Sequence, residues 1–532
     1  MKKKAYAFFC VLMALLCAAC LSIVNVSSGA EYVMAAGSQS IYRLDVAKAR
    51  GSIYDCNLQP LVGEKKQNVA AVAPTIESIG ALDQATEGEK RGYLANALEN
   101  GKPFAMELSR KIKDSCINFF QVPERYSEEQ LAPHVVGYVD GTGHGVTGVE
   151  LAMDDLLGRS SGEVTVYYQV DALGRVIPGA EKKIVDTLEE TKAGVVLTLD
   201  SKIQRLVQDA SEKLEKGAVV VTEVPDGEIR ALASVPGYSP NDVGSAAGNE
   251  DSPLVNRAFS AYSPGSVFKL VTAAEELEEG SYGYDFTCTG SINAGGLMFH
   301  CINSTAHGRV NLSTALQKSC NCYFVAAARA LGPQAVLGMA YNLGFGASQE
   351  FGRGLYTNTG VLPALEELDN ARALANFSFG QGDLTVTPMQ VAGMMNCIAS
   401  GGTYSTLKLI SGTADSRLNV TPVESAAERT VQVMERSTAL RLQSYLEGVV
   451  LYGTANPGAP GNCTAGIKTG TAQTGVYENG EELLHFWYSG YIEDENGPRY
   501  TVTVLREATP DDKGVTAQVF REIAEGIAEQ YF

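Results

Sequence analysis

A serine and a lysine stand three residues apart in the segment SPGSVFKL, Ser263–Leu270. Pro264 and Gly265 suit the turn into a helix, and helix positions i and i+3 share a face, so Ser266 and Lys269 should touch. The lysine can take the serine proton only if its pKa falls, which apolar burial and a nearby second cation both achieve. The alternative is a helix-start serine beside a solvent-reaching lysine. This tetrapeptide alone favours the alternative, because Ser-x-x-Lys is common by chance.

The segment KSCN, Lys318 to Asn321, offers a second pair of polar side chains. Ser319 and Asn321 are two residues apart, so a loop or tight turn can direct both toward one cleft. A hydroxyl there can relay a proton, and an amide can hold a substrate carbonyl. Taken alone, the segment fits a buried polar turn.

The segment IKTGTAQTG, Ile467–Gly475, places one cation on an otherwise neutral strand. Thr469 and Thr471 share a face by the strand period of two, and Gly470 allows close approach of a ligand backbone. Such an exposed strand can pair with an extended peptide while Lys468 or Thr469 contacts a carboxylate. A plain edge strand is the alternative for this segment alone.

The order of the three segments is more informative than any one of them. Ser319 follows Ser266 by 53 residues, and Lys468 follows Ser319 by 149. This succession matches the motif order of the serine acyltransferases that react with penicillin. All five histidines lie outside these segments, so the sequence gives no support to a Ser-His-Asp triad.

The elements that must position these residues can be recognised on either side of them. A short strand, a helix cap at Asp200 and an amphipathic helix are predicted over residues 191–214. Apolar runs predict one hairpin at Pro225–Gly227 and another around residues 493–498, and apolar residues at helical spacing from Phe520 to Ile527 predict a buried helix face. Strands at both ends of a mostly helical segment indicate a mixed α/β domain, of α+β type, with an antiparallel sheet.

The chain as a whole has 532 residues and a net charge of -19. This length allows two or three domains with sizeable cores. The acidic balance argues against a nucleic-acid partner, because phosphate binding needs clustered Lys and Arg.

The N-terminus predicts a membrane anchor. The apolar run Ala5–Val26 contains no charged residue and spans about 33 Å as a helix, enough to cross a bilayer. Lys2–Lys4 should stay in the cytoplasm, which puts the rest of the chain outside. A cleaved signal peptide is the alternative. Lipidation at Cys20 is another, although Cys17 occupies a position where that signal wants an aliphatic residue.

The chain has eleven cysteines, eight of them after the anchor. Cys288 and Cys301 flank a short loop and form either a disulfide or two free buried thiols. Cys320 and Cys322 are too close together for an easy mutual bridge. No CxxC pair with a CxxC or HxxxH partner occurs, so we expect no zinc site, no metal and no cofactor.

Beyond the three motifs, nearly the whole chain resembles the class B, monofunctional penicillin-binding proteins. ARGSIYDCNLQPLV, from Ala49, looks like the family's membrane-proximal Arg-Gly-x-Ile-x-Asp-Arg-Asn motif, with Cys56 where Arg is usual. RYSEEQLAPHVVGYV and GVTGVELAMDDLLGRSSGE resemble the rest of the N-terminal module. LTLDSKIQ, VPGYSPND, NRAFSAYSPGSVFKL and SFGQGDLTVTPMQVAGMMNCIASGG look like signatures of the transpeptidase domain.

The resemblance implies a role for each residue of the three motifs. The catalytic residues would be the nucleophile Ser266, its base Lys269, and Ser319, Asn321 and Lys468. The substrate-binding residues would be Thr469, Gly470 and Thr471, with the N–H groups of Ser266 and Thr471 forming the oxyanion hole. Lys468 would hold the substrate carboxylate and depress the pKa of Lys269.

The resemblance also implies the architecture and the reaction. We expect a cytoplasmic tail (1–4), an anchor (5–26), an elongated α+β pedestal or dimerisation-type module (27–190) and a penicillin-binding transpeptidase domain (191–532) with a five-stranded antiparallel sheet flanked by helices. Ser266 would attack the D-Ala-D-Ala bond of a peptidoglycan stem peptide outside the membrane, and a second strand's amine would take the acyl group. β-Lactams would be covalent inhibitors, and a SEDS-type membrane glycosyltransferase is the implied partner.

Two other functions share these motifs. A β-lactamase needs a group that activates the deacylating water, and Glu366–Asn370 only faintly resembles such a loop, so we take it as surface charge. A non-catalytic β-lactam sensor or scaffold is the other alternative. The intact serine and both lysines argue against a sensor, and the anchor and large N-terminal module argue against a β-lactamase.

Overall fold

The computed structural model of the protein describes residues 2–28, 40–280, 286–423 and 429–532. The first part of the expected N-terminal module, residues 29–39, lies outside the described residues. The α-helices are α1 (Lys2–Ser28), α2 (Ile76–Ala85), α3 (Arg91–Asn100), α4 (Pro133–Val136), α5 (Gly148–Ala152), α6 (Asp154–Arg159), α7 (Ser201–Ser211), α8 (Val243–Ala247), α9 (Lys269–Glu278), α10 (Leu312–Gln317), α11 (Asn321–Leu331), α12 (Pro333–Asn342), α13 (Leu365–Leu368), α14 (Ala371–Ser378), α15 (Pro388–Ala399), α16 (Arg436–Tyr452) and α17 (Val515–Tyr531).

The β-strands are β1 (Ile41–Ala49), β2 (Ser52–Tyr54), β3 (Lys66–Val72), β4 (Phe104–Leu108), β5 (Ile117–Pro123), β6 (Gly162–Gln169), β7 (Lys183–Asp186), β8 (Gly194–Leu197), β9 (Gly217–Glu223), β10 (Ile229–Val235), β11 (Phe286–Cys288), β12 (Ser291–Ala294), β13 (Leu297–His300), β14 (Gly308–Val310), β15 (Glu350–Gly352), β16 (Leu355–Tyr356), β17 (Thr403–Ser405), β18 (Ile410–Ala414), β19 (Val420–Pro422), β20 (Thr430–Gln432), β21 (Thr464–Glu478), β22 (Glu481–Asp494) and β23 (Gly497–Thr509). Short 3₁₀ turns cover Leu188–Lys192, Glu212–Leu214, Gly265–Phe268, Ile302–Ser304 and Asn456–Gly458.

Helix α1 contains the membrane-spanning candidate. Residues Lys3–Asn25 are long and apolar enough to cross a bilayer, as the sequence predicts for Ala5–Val26. This helix fits a single-pass anchor.

The chain divides into two compact units, and neither is continuous in sequence. The first comprises residues 1–50, 63–125 and 161–191. It contains two three-stranded sheets, of order β1-β6-β7 and β4-β3-β5. Alternate residues of β3 enter separate cores: Val69 packs with Val164 of β6, whereas Ala70 packs with Leu82 of α2. This unit is therefore of α+β type.

The second unit comprises residues 51–62, 126–160 and 192–532. Its centre is a five-stranded antiparallel sheet of order β10-β9-β23-β22-β21, as the family resemblance implies. Both predicted hairpins are confirmed: β9 pairs with β10 around Pro225–Gly227, and β22 pairs with β23 around the turn near residue 496.

Helices cover both faces of this sheet, because its residues alternate between two cores. Val219 of β9 joins the cluster that includes Val207 of α7, whereas its neighbour Val220 joins the cluster that includes Met389 of α15. On α17, Phe520, Ile523 and Ile527 are completely buried, so the predicted buried face is confirmed.

The segment that resembles the membrane-proximal motif packs onto the start of the second unit's continuous part. Strand β2 pairs in parallel with β8. The buried Asp55 accepts from the backbone of Gln59 and of Ser201. Asn57 donates to Asp200, which in turn caps α7. The predicted cap at Asp200 is confirmed. The hydrogen bonds of Asp200 and Ser201 also hold the membrane-proximal motif against the start of helix α7.

Three small strand pairs lie inside residues 260–400, the stretch that the sequence predicts to be mostly helices and loops. β11 pairs with β14, β12 pairs with β13 in a tight hairpin across Gly295 and Gly296, and β15 pairs with β16. These strands hold only two to four residues each, too few for a clear alternation of apolar and polar positions.

Candidate active site

Ser266 and Lys269 lie at the junction of a 3₁₀ turn, Gly265–Phe268, and helix α9. The Nζ atom of Lys269 is 3.0 Å from the Ser266 Oγ, which confirms the predicted contact. Lys269 is completely buried among apolar residues that include Phe324, so its ammonium does not reach solvent.

The oxygens around the Lys269 Nζ define what its amine can do. The Ser319 carbonyl oxygen is 2.8 Å away and the Asn321 Oδ1 is 2.7 Å away. Both atoms only accept hydrogen bonds. A neutral amine has two N–H groups for these two oxygens, and its lone pair is then free for the Ser266 hydroxyl. The geometry therefore suits a lysine that accepts a proton from serine.

The Asn321 side chain is fixed from its other end. Its Nδ2 donates to the His300 carbonyl oxygen at 2.8 Å, which orients Oδ1 toward Lys269. Asn321 is the first residue of helix α11. The preceding Ser319 has a φ of 49°, a left-handed conformation that is uncommon outside glycine and directs its carbonyl oxygen at the lysine.

Lys468, on the edge strand β21, approaches the same point from the opposite side. Its Nζ is 3.2 Å from the Ser319 Oγ and 2.8 Å from the Thr469 carbonyl oxygen. The Ser319 Oγ is also 3.1 Å from the Lys269 Nζ, so one hydroxyl bridges two amines. We call Ser266, Lys269, Ser319, Asn321 and Lys468 the amine centre.

Burial changes the protonation of both lysines. It lowers the pKa of Lys269 to about 7. Burial and the positive charge of Lys269 together hold the pKa of Lys468 well below its usual range. Burial is the largest cause of the lowered pKa of both lysines, and a positive charge on either amine disfavours a second positive charge on the other.

The third motif runs directly beside the serine. A Cβ on Gly470 would lie 2.9 Å from the Pro264 carbonyl oxygen, and a Cβ on Gly265 would lie 2.4 Å from the Thr471 carbonyl oxygen. Gly265 also has a φ of 54°, which favours glycine. The two glycines thus allow the backbones of Ser266 and Thr471 to come close together. Thr469 and Thr471 lie on one face of β21, and Lys468 and Gly470 lie on the other, buried face.

Some residues that support the site were missed by the sequence analysis. Thr454, which follows α16, has its Oγ1 2.8 Å from the Thr469 Oγ1. Trp487 of β22 donates from Nε1 to the Ser263 carbonyl oxygen. No local pattern marks Thr454 or Trp487 as part of the site, because each acts through a contact with a distant part of the chain.

The segment Glu366–Asn370 lies on the surface, apart from the buried Leu368. It overlaps the short helix α13, and the Glu367 carboxylate accepts a hydrogen bond from the backbone N–H of Ala364. This position fits the interpretation of the segment as surface charge.

Comparisons with known proteins agree with the geometry. The model of the penicillin binding protein transpeptidase domain matches residues 217–525. Stage V sporulation protein D of Bacillus subtilis is 28% identical over 473 residues, which cover 82% of this chain and 71% of that protein. Peptidoglycan D,D-transpeptidase FtsI of Escherichia coli K12 is 26% identical over 485 residues, 88% of this chain and 77% of that protein.

Solved structures show the same fold. Penicillin-binding protein 3 of Mycobacterium tuberculosis, complexed with ampicillin, aligns with a TM-score of 0.67 at 24% identity and covers 92% of this chain and 96% of its own. A chain from a peptidoglycan synthase complex that coordinates polymerization and crosslinking aligns with a TM-score of 0.70 at 23% identity, over 100% of this chain and 99% of that chain.

The chain belongs to the penicillin-binding protein transpeptidase family. Within that family it is a class B protein, one of the serine-type peptidoglycan D,D-transpeptidases.

Proposed function

We propose that the amine centre cross-links peptidoglycan stem peptides through an acyl-enzyme on Ser266. The observation that carries the proposal is the 3.0 Å contact between the Ser266 hydroxyl and a completely buried lysine amine whose other neighbours are hydrogen-bond acceptors. A buried amine with a pKa of about 7 is neutral often enough at neutral pH to act as the base.

Acylation begins with attack by the Ser266 Oγ on the carbonyl carbon of the D-Ala-D-Ala bond, while the serine proton passes to the Lys269 Nζ. The N–H groups of Ser266 and Thr471 stabilise the resulting oxyanion. The C–N bond then breaks, and the leaving D-alanine nitrogen takes a proton. Ser319 can deliver that proton, because its hydroxyl lies within 3.2 Å of both lysine amines.

Deacylation reverses these roles. The amine of a second stem peptide attacks the ester carbonyl, loses a proton to the lysines and displaces the Ser266 oxygen, which regains its proton. The products are the new amide bond and the free serine. Two easier steps thus replace one difficult acyl transfer.

The substrate carboxylate would change the protonation of both lysines. Lys468, Thr469, Gly470 and Thr471 form the edge of the sheet, where an extended peptide can add as a further strand. A carboxylate beside Lys468 and Thr469 would favour the charged form of Lys468. The positive charge of Lys468 would then disfavour an extra proton on Lys269 and keep its amine neutral, as a base must be.

β-Lactams would acylate the same serine. Ampicillin is bound to the Mycobacterium tuberculosis protein of the same fold, which supports this part of the proposal. The binding site on this chain would be the amine centre together with β21.

The remaining features fit a membrane-anchored enzyme. We propose that α1 crosses the membrane with Lys2–Lys4 in the cytoplasm, that residues 27–190 supply the pedestal and that residues 191–532 form the transpeptidase domain. Within 27–190, residues 51–62 and 126–160 belong to the second compact unit, so we assign these two segments to the transpeptidase unit. A SEDS-type glycosyltransferase is the proposed partner, and the similar chain within a peptidoglycan synthase complex supports it.

The proposal is tested by intact-mass spectrometry of the full-length protein in detergent after incubation with penicillin. Wild type should carry one long-lived adduct and Ser266→Ala none, whereas the exposed-serine control Ser245→Ala should react like wild type. Absence of an adduct on wild type contradicts the acyl-enzyme. Rapid release of hydrolysed penicillin indicates a β-lactamase instead.

Cross-linking separates an enzyme from a sensor, since both acylate. Given polymerised glycan with pentapeptide stems, wild type should form cross-linked stem dimers with release of D-alanine. A penicillin adduct without any cross-linking would indicate a sensor or scaffold.

A further inference from the structure

Directly behind the amine centre lies a cluster of soft metal ligands that the proposed reaction does not use. Its members are one histidine nitrogen and three buried sulfurs, all within 4.8 Å of one another: Cys288, Cys301, His307 and Cys320. We call these four residues the thiol cluster. They are 13, 6 and 13 residues apart, so the search for CxxC and HxxxH pairs that led us to expect no zinc site does not detect them.

Three of the six distances within the thiol cluster match tetrahedral coordination, and the other three are at most 4.8 Å. An ion about 2.3 Å from two thiolates separates their sulfurs by about 3.8 Å, and a sulfur and an imidazole nitrogen by about 3.5 Å. The sulfur of Cys301 is 3.7 Å from that of Cys288 and 3.8 Å from that of Cys320. The Cys288 sulfur is 3.6 Å from the His307 Nδ1.

The arrangement around Cys301 favours an ion over a disulfide. Cys301 has three sulfur neighbours, the nearest being Cys322 at 3.4 Å. A disulfide can join Cys301 to only one of them, whereas an ion can engage several thiolates at once. The Cys288–Cys301 pairing considered from the sequence therefore has two competitors, and both cysteines are free thiols here.

The surroundings also suit a coordinated thiolate. The Gly290 N–H lies 3.4 Å from the Cys288 sulfur, a backbone contact of the kind that supports metal-bound thiolates. Cys288, Cys301 and Cys320 are almost completely buried, and His307 is half-buried.

We propose that Cys288, Cys301, His307 and Cys320 bind one Zn²⁺ ion as a structural site. Binding releases the three thiol protons to solvent, and His307 coordinates through Nδ1 with its remaining proton on Nε2. Three sulfurs and one nitrogen are a ligand set that closes a tetrahedral site and leaves no open position, so the ion braces the fold and takes no part in the acyl transfer.

The site ties together the segments that hold the second motif. Cys288 ends β11, Cys301 follows β13, and Cys320 lies between Ser319 and Asn321. The residue before Cys301, His300, supplies the carbonyl that orients the Asn321 amide. An ion here would therefore fix both contacts that Ser319 and Asn321 make with Lys269.

The test is metal analysis of the reduced, full-length protein in detergent, after equilibration with Zn²⁺ or Co²⁺ and gel filtration. The proposal predicts one ion per chain and, with Co²⁺, the charge-transfer absorption of a tetrahedral thiolate site. Cys288→Ser and His307→Ala should bind Zn²⁺ about tenfold more weakly or worse. Cys322→Ser is the matched control, since it removes a sulfur beside the cluster, and it should retain the ion.

Different results would overturn the proposal. A wild-type chain that retains no ion contradicts it, as does a Cys322→Ser variant that loses binding as severely as Cys288→Ser. An unreduced protein whose mass shows loss of two hydrogens, with linked peptides from Cys301 and Cys322, supports a disulfide instead.

If circular dichroism shows that Cys288→Ser does not fold, the zinc affinity of His307→Ala is the deciding measurement. The His307 ring is only half-buried, so removing it should disturb the packing less. Penicillin acylation of wild type is measured separately, so failure of the metal site leaves the acyl-enzyme test unaffected.

Discussion

Four consecutive residues, Ser319 to Cys322, connect two buried centres of different chemistry. Ser319 and Asn321 contact the amine of Lys269, whereas Cys320 and Cys322 contact the sulfur of Cys301. In the amine centre, nitrogen and oxygen atoms lie 2.7 to 3.2 Å apart, which are hydrogen-bond distances, so shared protons account for all of its contacts. In the thiol cluster, the separations fit ligands around a shared cation. One short segment thus positions the proton-transfer site through Ser319 and Asn321 and is held in place through the sulfur contacts of Cys320 and Cys322.

The largest effect is expected from changing the base of the amine centre. Lys269→Arg keeps a positive charge, but a guanidinium does not lose its proton, so the second-order rate constant for penicillin acylation should fall by roughly 10²- to 10⁴-fold. Stopped-flow measurements with a fluorescent penicillin check this, with Lys213→Arg as a surface control. Near-normal acylation by Lys269→Arg would mean that Lys269 is a structural charge and no base.

A smaller effect is expected at the residue that links the two centres. Asn321→Ala removes the acceptor of Lys269 at 2.7 Å and the contact with the His300 carbonyl. Lys269 becomes charged as it takes the serine proton, and a hydrogen bond from a charged group contributes about 1.5–3 kcal/mol, so acylation should slow about 10- to 200-fold. The same stopped-flow assay measures it, and Cys322→Ser, which alters the next side chain along the chain, outside both the amine centre and the four residues of the thiol cluster, should stay within about twofold of wild type. An unchanged rate in Asn321→Ala would show that the amide does not position the base.

The difference between the centres also explains what the sequence can predict. Ser266 and Lys269 meet because a 3₁₀ turn that runs into an α-helix brings positions i and i+3 onto one face, and the hairpins follow from local turns and alternation. Lys468 could be assigned only because its motif follows the other two in a known order. The thiol cluster could not be predicted, since its ligands come from four segments whose short strands give no periodic signal.

The residues that contact the third motif, Lys468 to Gly470, could not be predicted from the sequence either. Thr454 contacts Thr469 across 15 residues of chain, and nothing in its own neighbourhood indicates that contact. The lowered pKa of Lys468 is likewise a property of the folded packing, because it depends on complete burial beside Lys269.

The smallest effect is expected from removing the contact between Thr454 and Thr469. Thr454→Val removes the hydroxyl that contacts Thr469, a loss of about 0.5–1.5 kcal/mol, so acylation by a carboxylate-bearing β-lactam should slow about two- to tenfold. Thr454→Ser keeps the hydroxyl and should react like wild type in the same assay. Equal rates for the valine and serine variants would show that this contact does not orient Thr469.

The central claim, that Lys269 reacts as a neutral amine, is tested most directly by the pH dependence of wild-type acylation. The amine is a base only without its extra proton, so the rate constant should be low in acid and rise with pH, with a midpoint near the pKa of about 7. The measurement is the second-order acylation rate constant by stopped flow across the stable pH range. A rising limb centred near pH 7 is the predicted result. A rate constant that does not change through that region, while the protein stays folded, would contradict the neutral-lysine mechanism.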